Sequence, residues 1–360
     1  MVVSSDGRTS ISVNPATAHS TFHQHLVVVD GHCDVPLAVN RLTDAAGEVP
    51  ALGETSIGRA IRAGGVDIVL SPVYAELEYL PDGSLRRALQ GFVRTEQAAI
   101  RSGDEFVVVR SAHELEKTLG SGRTALILGL EGCTPLGYDP SLLEVFVRLG
   151  ARILGLTWNE RNAFASGSQQ ARDEGLSRLG KELVREADRL NLILDLSHLS
   201  ERSFWDVLED TSGPVVASHS NAHALYAHPR NITDDQIRAI GDRGGIVGLM
   251  IQQFALGSRE ATLKDFLHHV DHAVSLVGIE RVGFGYDFIS FVDGLEHMKP
   301  ALERATAPPP KNLHKTIAEI ETPADLPLLT SALLDHGYTE GEVAGLMGGN
   351  WARILMTELG

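Results

Sequence analysis

The hydrophobic pattern divides the chain into short apolar runs, most of them followed by a stretch with helical periodicity. Eight runs have the length and composition of buried strands: Leu26–Val29, Val66–Val73, Thr124–Glu131, Arg152–Thr157, Leu192–His198, Pro214–His219, Gly245–Ile251 and Arg281–Asp287. Helical spacing recurs over Thr55–Ala63, Ser84–Arg101, Pro140–Leu149, Gly175–Leu190, Ser200–Asp210, Thr233–Arg243 and Thr262–Val277, with Ser200 and Thr233 placed as N-caps. A minor strand, Glu105–Arg110, and a helix, Ala112–Leu119, precede the third main strand. Short apolar strands alternating with helices predict a parallel (β/α)8 barrel of the TIM type. Gly31 and Pro36 mark the end of the first strand and the start of a loop that continues through Gly47, Pro50 and Gly53. After the eighth strand, Ala307-Pro-Pro-Pro310 reads as an exposed loop, followed by helices near Pro323–His336, Thr339–Leu346 and Asn350–Leu359.

Residues 1–24, rich in Ser, Thr and His, read as a flexible N-terminal segment, and residues 25–360 as one barrel domain, a length that α/β barrels reach as single units. The net charge is −16, with no run of Lys and Arg, which argues against nucleic acid and against anionic membranes as partners. Cys33 and Cys133 cannot build a disulfide framework, the first residues lack a signal-peptide pattern, and no apolar run approaches a membrane span. These features together predict a soluble cytoplasmic protein.

The active site of such a barrel forms at the carboxyl ends of its strands. His32 and Asp34 follow the first strand, Glu131 ends the third, His198 the fifth, His219 the sixth and Asp287 the eighth. In extended backbone, residues two apart share a face, so His32 and Asp34 can grip one ion while Cys33 points away. Each residue alone has an ordinary reading, a carboxylate paired with arginine or a satisfied core histidine. Five strands ending in metal-ligand types point instead to a metal centre. Three carboxylates and three imidazoles can hold two divalent ions, with one carboxylate bridging and another left as acid and base.

The segments Asp30-Gly-His-Cys-Asp-Val-Pro36, Gly129-Leu-Glu-Gly132, Asp195-Leu-Ser-His198 and Ala217-Ser-His-Ser220 resemble the renal (membrane) dipeptidase family of zinc peptidases. So do His228-Pro-Arg-Asn231, Gly283-Phe-Gly-Tyr-Asp-Phe288 and Gly348-Gly-Asn350, and the match runs from about residue 25 to 358 in the family's order. The family is part of the amidohydrolase superfamily. The resemblance implies a TIM-like barrel with two Zn2+ per chain, and hydrolysis of a dipeptide amide bond by a metal-bridged hydroxide. By position, His32 and Asp34 correspond to ligands of one zinc, His198 and His219 to ligands of the other, and Glu131 to the bridge. Asp287 corresponds to the residue that takes a proton from the attacking water and passes it to the leaving amine. Arg230 corresponds to the residue that binds the substrate's terminal carboxylate, a role suited to a guanidinium fork. A homodimer is the family's implied assembly.

One segment departs from the family. The fourth strand ends Leu156-Thr-Trp-Asn159, where mammalian members carry a His after the Thr that helps stabilise the tetrahedral intermediate. Trp158 offers only an indole N–H, so either Trp158 or Asn159 supplies a substitute donor to the substrate, or the zinc ions alone hold the oxyanion. Two rival functions follow: an amidohydrolase acting on an N-acyl amino acid, lactam or cyclic imide, and a catalytically silent metal-binding barrel. His268 and His272 sit one helical turn apart without the Glu of a His-Glu-x-x-His site, and a solvated helix face is expected for them. His223 and His228 flank the sixth-strand loop, Cys133 packs near Glu131, and Gly283-x-Gly285 lies within a strand rather than in a dinucleotide turn.

Overall fold

A computed structural model describes residues 19, 21–257, 260–289 and 315–360. The 307–310 loop and nearly all of the N-terminal segment lie outside these residues. Among them are nine strands: β1 (Val29–Asp30), β2 (Ile68–Tyr74), β3 (Phe106–Val108), β4 (Thr124–Glu131), β5 (Ala151–Gly155), β6 (Ile193–Asp195), β7 (Val215–Val216), β8 (Val247–Leu249) and β9 (Val282–Phe284). All pairings between these strands are parallel, in the order β1-β2-β4-β5-β6-β7, with β3 added to β4 and with β8 and β9 paired separately. One edge of β4 serves two neighbours. β3 pairs with residues 124–126, and β5 takes over from Leu128, where the register shifts.

The barrel closes through single bridges rather than full ladders. Ala217 bridges Val247, joining the β7 chain to β8, and Cys33 bridges Phe288 beyond β1 and β9. Gly31 N–H donates to the Phe284 carbonyl at 2.8 Å, and Asp287 N–H donates to the His32 carbonyl at 3.1 Å. The result is a distorted α/β barrel, a curled sheet whose seams lie on either side of β8 and β9. Close backbone approach explains the glycines at these seams. A Cβ on Gly248 or on Gly285 would lie 2.0 Å from the Ser218 carbonyl oxygen, so any side chain at either position would push the strands apart.

β2 and β4 are buried along their whole length, as expected of strands covered on both faces. The expected caps are present: Ser200 Oγ accepts from Ser203 N–H, and Thr233 forms a capping box with Gln236. The expected loop after β1 is instead a twelve-residue helix, Val35–Ala46. Pro36 stands in its first turn, where the missing N–H has no helical partner to lose, and Gly47 closes the helix at φ 80°. The flexible segment expected through residue 24 already packs at His23, whose ring meets Thr330 Oγ1 at 2.7 Å and the Gly64 carbonyl at 3.0 Å.

The closing helix, Asn350–Glu358, locks the seam from below. Trp351 is fully buried and donates to the Phe284 carbonyl at 3.0 Å, and Asn350 Nδ2 donates to the carbonyls of Ile279 and Val282. This gives the Gly348-Gly-Asn350 segment a structural role. Among the described residues, no helix is long and apolar enough to cross a membrane.

Candidate metal centre

Every strand-end residue singled out from the sequence as a metal ligand, together with Asp287, converges on one buried cluster. One ligand atom each of His32, Glu131 and His219 lies within 4.8 Å of the others, and so does one each of His32, Asp34 and Asp287. His198 joins through Glu131, its Nε2 standing 2.9 Å from Glu131 Oε1 and 2.9 Å from His219 Nε2. His32 Nε2 lies 3.6 Å from Glu131 Oε2, and His219 Nε2 lies 3.7 Å from Glu131 Oε1. Glu131 therefore touches all three imidazoles, one carboxylate oxygen toward His32 and the other toward His198 and His219.

Two buried aspartates that the sequence reading left without a role set this geometry. Asp195 Oδ1 accepts from Ser197 N–H at 3.0 Å and Ser218 N–H at 2.9 Å, while its Oδ2 accepts from Ser218 Oγ. Ser218 Oγ in turn meets His219 Nδ1 at 2.7 Å. Asp30 Oδ1 accepts from His32 N–H at 3.1 Å and Tyr286 N–H at 3.0 Å. Each carboxylate thus takes over backbone donors where a ladder stops, stapling β6 to β7 and β1 to β9 at the level of the site. Their signal in the sequence was an acid inside an apolar run, Val-Val-Val-Asp30 and Ile-Leu-Asp195.

The hydrogen bonds also decide which ring nitrogens carry protons. His198 Nδ1 stands 2.8 Å from Asn159 Oδ1, an acceptor, so it is the protonated nitrogen. The Ser218 hydroxyl proton goes to Asp195, so His219 Nδ1 donates to Ser218. Both Nε2 atoms are then bare lone pairs facing each other at 2.9 Å, an arrangement that calls for a cation between them. Asp34 Oδ1 is buried without a hydrogen-bond partner, a second donor awaiting an acceptor of its charge. Hard carboxylate and borderline imidazole donors in this ratio suit a pair of divalent ions.

Electrostatics without an ion fit the same picture. Burial holds His198 and His219 well below the usual imidazole range and His32 down to about 3, with the Arg230 charge adding to the effect. Burial raises Asp34 and Glu131 well above the usual carboxylate range, with added repulsion from Asp287 on Asp34 and from Asp34 on Glu131. Burial pushes Asp287 up to about 7, against the pull of Arg230. Burial thus disfavours charge on each of these groups in isolation, a cost that a cation shared among them would offset.

Two residues of the cluster adopt strained backbone: His198 has φ 66° and Asp287 φ 58°, both left-handed and neither a glycine. Arg230 is buried and donates to the His219 carbonyl at 3.2 Å, and burial lowers it only to about 10, so it stays cationic at neutral pH. Trp158 flanks the centre as a wall, its ring 6.0 Å from that of His198 and 5.1 Å from that of Tyr74. Asn159 directs Oδ1 to His198 Nδ1 at 2.8 Å, so its amide oxygen orients that imidazole. The decoys separate cleanly. His272 Nε2 pairs with Asp234 at 2.8 Å, His228 Nδ1 accepts from Arg230 N–H, and Cys33 and Cys133 are buried free thiols. His269, between the two expected surface histidines, is a buried structural residue whose Nδ1 accepts from Ala222 N–H at 3.1 Å.

Comparison with known proteins agrees with this site. Residues 17–303 match the family model described as membrane dipeptidase, peptidase family M19. An uncharacterised protein of Klebsiella pneumoniae is 32% identical over 256 residues, covering 68% of this chain and 86% of that protein. Dipeptidase aclJ of Aspergillus oryzae is 33% identical over 239 residues, covering 65% of this chain and 51% of that protein. The aligned region thus spans about half the length of the relatives that carry the dipeptidase name. Among solved structures, a metallo peptidase of Rhodobacter sphaeroides, liganded with a phosphinate mimic of L-Ala-D-Ala, superposes with a TM-score of 0.79 at 26% identity, covering 93% of this chain and 99% of that one. With its barrel, its clustered metal donors and a family match over most of its length, the chain belongs to the membrane dipeptidase family, peptidase family M19.

Proposed function

We propose that this protein is a zinc-dependent dipeptidase that hydrolyses the amide bond of small dipeptides. The observation that carries the reading is the buried cluster itself, three neutral imidazoles and three carboxylates around one space with a buried guanidinium beside it. Two zinc ions bound there would supply Lewis-acid polarisation of the amide carbonyl and a nucleophilic water at neutral pH. His32 and Asp34 would hold one, His198 and His219 the other, with Glu131 shared between them.

The chain's own residues do the rest. Arg230 binds the terminal carboxylate of the substrate and fixes the scissile bond over the cluster. Asp287 receives the proton released on attack and delivers it to the departing amine, a task suited to a carboxyl whose burial pushes it toward neutral pH. A location in a reducing compartment, as the free cysteines suit, and a homodimeric assembly complete the proposal. The bound phosphinate mimic of a dipeptide in the Rhodobacter sphaeroides structure supports a peptide-like substrate.

The test is hydrolysis of L-Xaa-L-Xaa and L-Xaa-D-Xaa dipeptides by protein stripped of metal, before and after zinc is restored. Cleavage that disappears with the metal and returns with zinc is the expected result. Two bound zinc ions with no dipeptide cleaved would move the assignment to another carboxylate-bearing amide.

A further inference from the structure

Along β8 and the residues that follow it, successive side chains face opposite sides of the sheet. Val247, Leu249 and Ile251 share one apolar core with the helix residues Ile237, Ile240 and Val270, which leaves Gly248, Met250 and Gln252 toward the barrel interior. The same alternation on β9 puts Phe284, Tyr286 and Phe288 in that outer core and Gly283, Gly285 and Asp287 on the inner side. Gln252 and Asp287 therefore stand at the ends of two paired strands, on the same side, at the level of the metal donors.

Gln252 is fully buried, and residues 315–317 fix its backbone. Gln252 bridges Thr316, Gln253 N–H donates to the Lys315 carbonyl at 2.8 Å, and Ile317 N–H donates to the Ile251 carbonyl at 3.2 Å. The Gln252 side chain does not cap the short helix Gln253–Leu256 that follows it. Nε2 instead donates to the Asp287 carbonyl, while Oε1 is buried with no hydrogen-bond partner among the described residues. A glutamine is thus kept in the interior with half of its amide unpaired, a penalty that an apolar side chain of the same length would not carry. The bond it does make falls on the peptide of Asp287.

That peptide is in an unusual state. Asp287 has φ 58°, and left-handed backbone at a residue other than glycine persists only where its surroundings fix it. The Asp287 N–H donates to the His32 carbonyl at 3.1 Å, so its N–H and its carbonyl are gripped by different neighbours and the direction of its side chain is set between them. Resting on the dipeptidase reading, we propose that Gln252 is a positioning residue for the reaction: its amide holds Asp287 in the turned backbone that aims the carboxyl at the attacking water and the departing amine. Without that amide the Asp287 carbonyl loses its partner, the peptide relaxes toward ordinary backbone, and the carboxyl leaves the point where it takes up and returns the proton. The ligands His32, His198 and His219 are held by other bonds, to Asp30, Asn159 and Ser218, so the metal donors stay in place.

The experiment measures kcat and KM for L-Ala-L-Ala, together with zinc content, on wild type, Gln252→Met, Asp287→Asn and the double variant. Urea unfolding reports whether each is folded, and Gln252→Leu replaces Gln252→Met if the latter is not. Gln252→Met should lower kcat about 10- to 100-fold, the scale of a misplaced reacting group, with KM within about twofold of wild type and zinc content unchanged. In the Asp287→Asn background no carboxylate remains to be aimed, so the same substitution should change the residual kcat by less than about twofold. A bond that only supports the fold would instead lower kcat by the same factor in both backgrounds. An equal fall in both, an unchanged kcat in Gln252→Met, a rise in KM alone or a loss of zinc overturns the assignment and leaves the dipeptidase reading standing. A zinc-loaded wild type that cleaves no dipeptide overturns that reading, and the role of Gln252 with it.

Discussion

Replacing Asn159 with leucine isolates the contribution of a residue that holds a ligand without touching an ion. Asn159 is 5% exposed, and its Oδ1 takes the proton of His198 Nδ1 at 2.8 Å, with Ser168 Oγ a more distant donor at 3.4 Å. Leucine has nearly the same size and no acceptor. Two effects then weaken metal binding. The ring of His198 loses the bond that orients it. The proton is also free to move to Nε2, where it can bridge the 2.9 Å gap to His219 and close the site in the absence of metal. Loss of such an orienting partner typically lowers metal affinity about 10- to 100-fold, or about 1.4–2.7 kcal/mol.

The assay is competition for zinc between the metal-free protein and a chromogenic chelator, with urea unfolding of the metal-free forms as the control for folding. Asn159→Leu should retain two binding equivalents and show the lower affinity in one of them. Asn159→Asp keeps an oxygen acceptor on Nδ1 and should return the affinity to within about threefold of wild type. If Asn159→Leu binds zinc as tightly as wild type, or if Asn159→Asp is as weak as Asn159→Leu, the hydrogen bond does not position His198 and the argument for its tautomer fails.

Other perturbations address the remaining parts of the molecule. Asp287→Asn should keep both zinc ions by elemental analysis while kcat falls about 10²- to 10⁴-fold, the range for losing a general acid–base group; full activity would show that the proton travels elsewhere. Arg230→Met should raise the KM for dipeptides about 100-fold, with a smaller change in kcat, because a buried charged hydrogen-bond pair to the carboxylate is lost. Arg87 is 1% exposed and forks Glu76 at 2.7 and 2.5 Å, so Arg87→Met should cost about 3 kcal/mol in urea unfolding by leaving that buried carboxylate to Arg41 alone. His269 supplies a pH dependence: burial lowers its pKa from 6.5 to about 4, so the folded state favours the neutral ring. Its contribution is complete above 6.5 and is lost as pH falls through about 4, a span worth about 3 kcal/mol, and His269→Gln should flatten the acid slope of metal-free stability in that window.

The barrel and its ligand set were legible because both rest on local pattern. Parallel strands buried on both faces read as continuous apolar runs, and an ionisable residue at the end of such a run stands out. The residues that hold the ligands were harder to see because their role depends on neighbours from other strands. Asp195 gains its meaning only where β6 stops beside β7 and two backbone donors lose their ladder partners. Pro36 was read as the start of a loop because a proline after a strand suits either a turn or the first turn of a helix, and only tertiary packing of Val35, Leu37 and Val39 selects the helix.

The least legible feature is the left-handed backbone at His198 and Asp287, since His and Asp tolerate it more readily than most residues but do not require it. Surrounding bonds impose it. The His198 carbonyl accepts from Ser168 N–H at 2.7 Å and Thr157 Oγ1 at 3.2 Å, and Asp287 is clamped by its N–H on the His32 carbonyl and by the Gln252 amide on its own carbonyl. Each such position costs about 1–3 kcal/mol and persists only where the fold over-determines it. Here the strain falls on an imidazole and a carboxylate on separate sides of the cluster, turning each side chain inward just past the end of its strand. The same reversal could be had more cheaply with glycine, but glycine would bring no side chain to the cluster. Strain is therefore concentrated where a turn and a donor must occupy one residue.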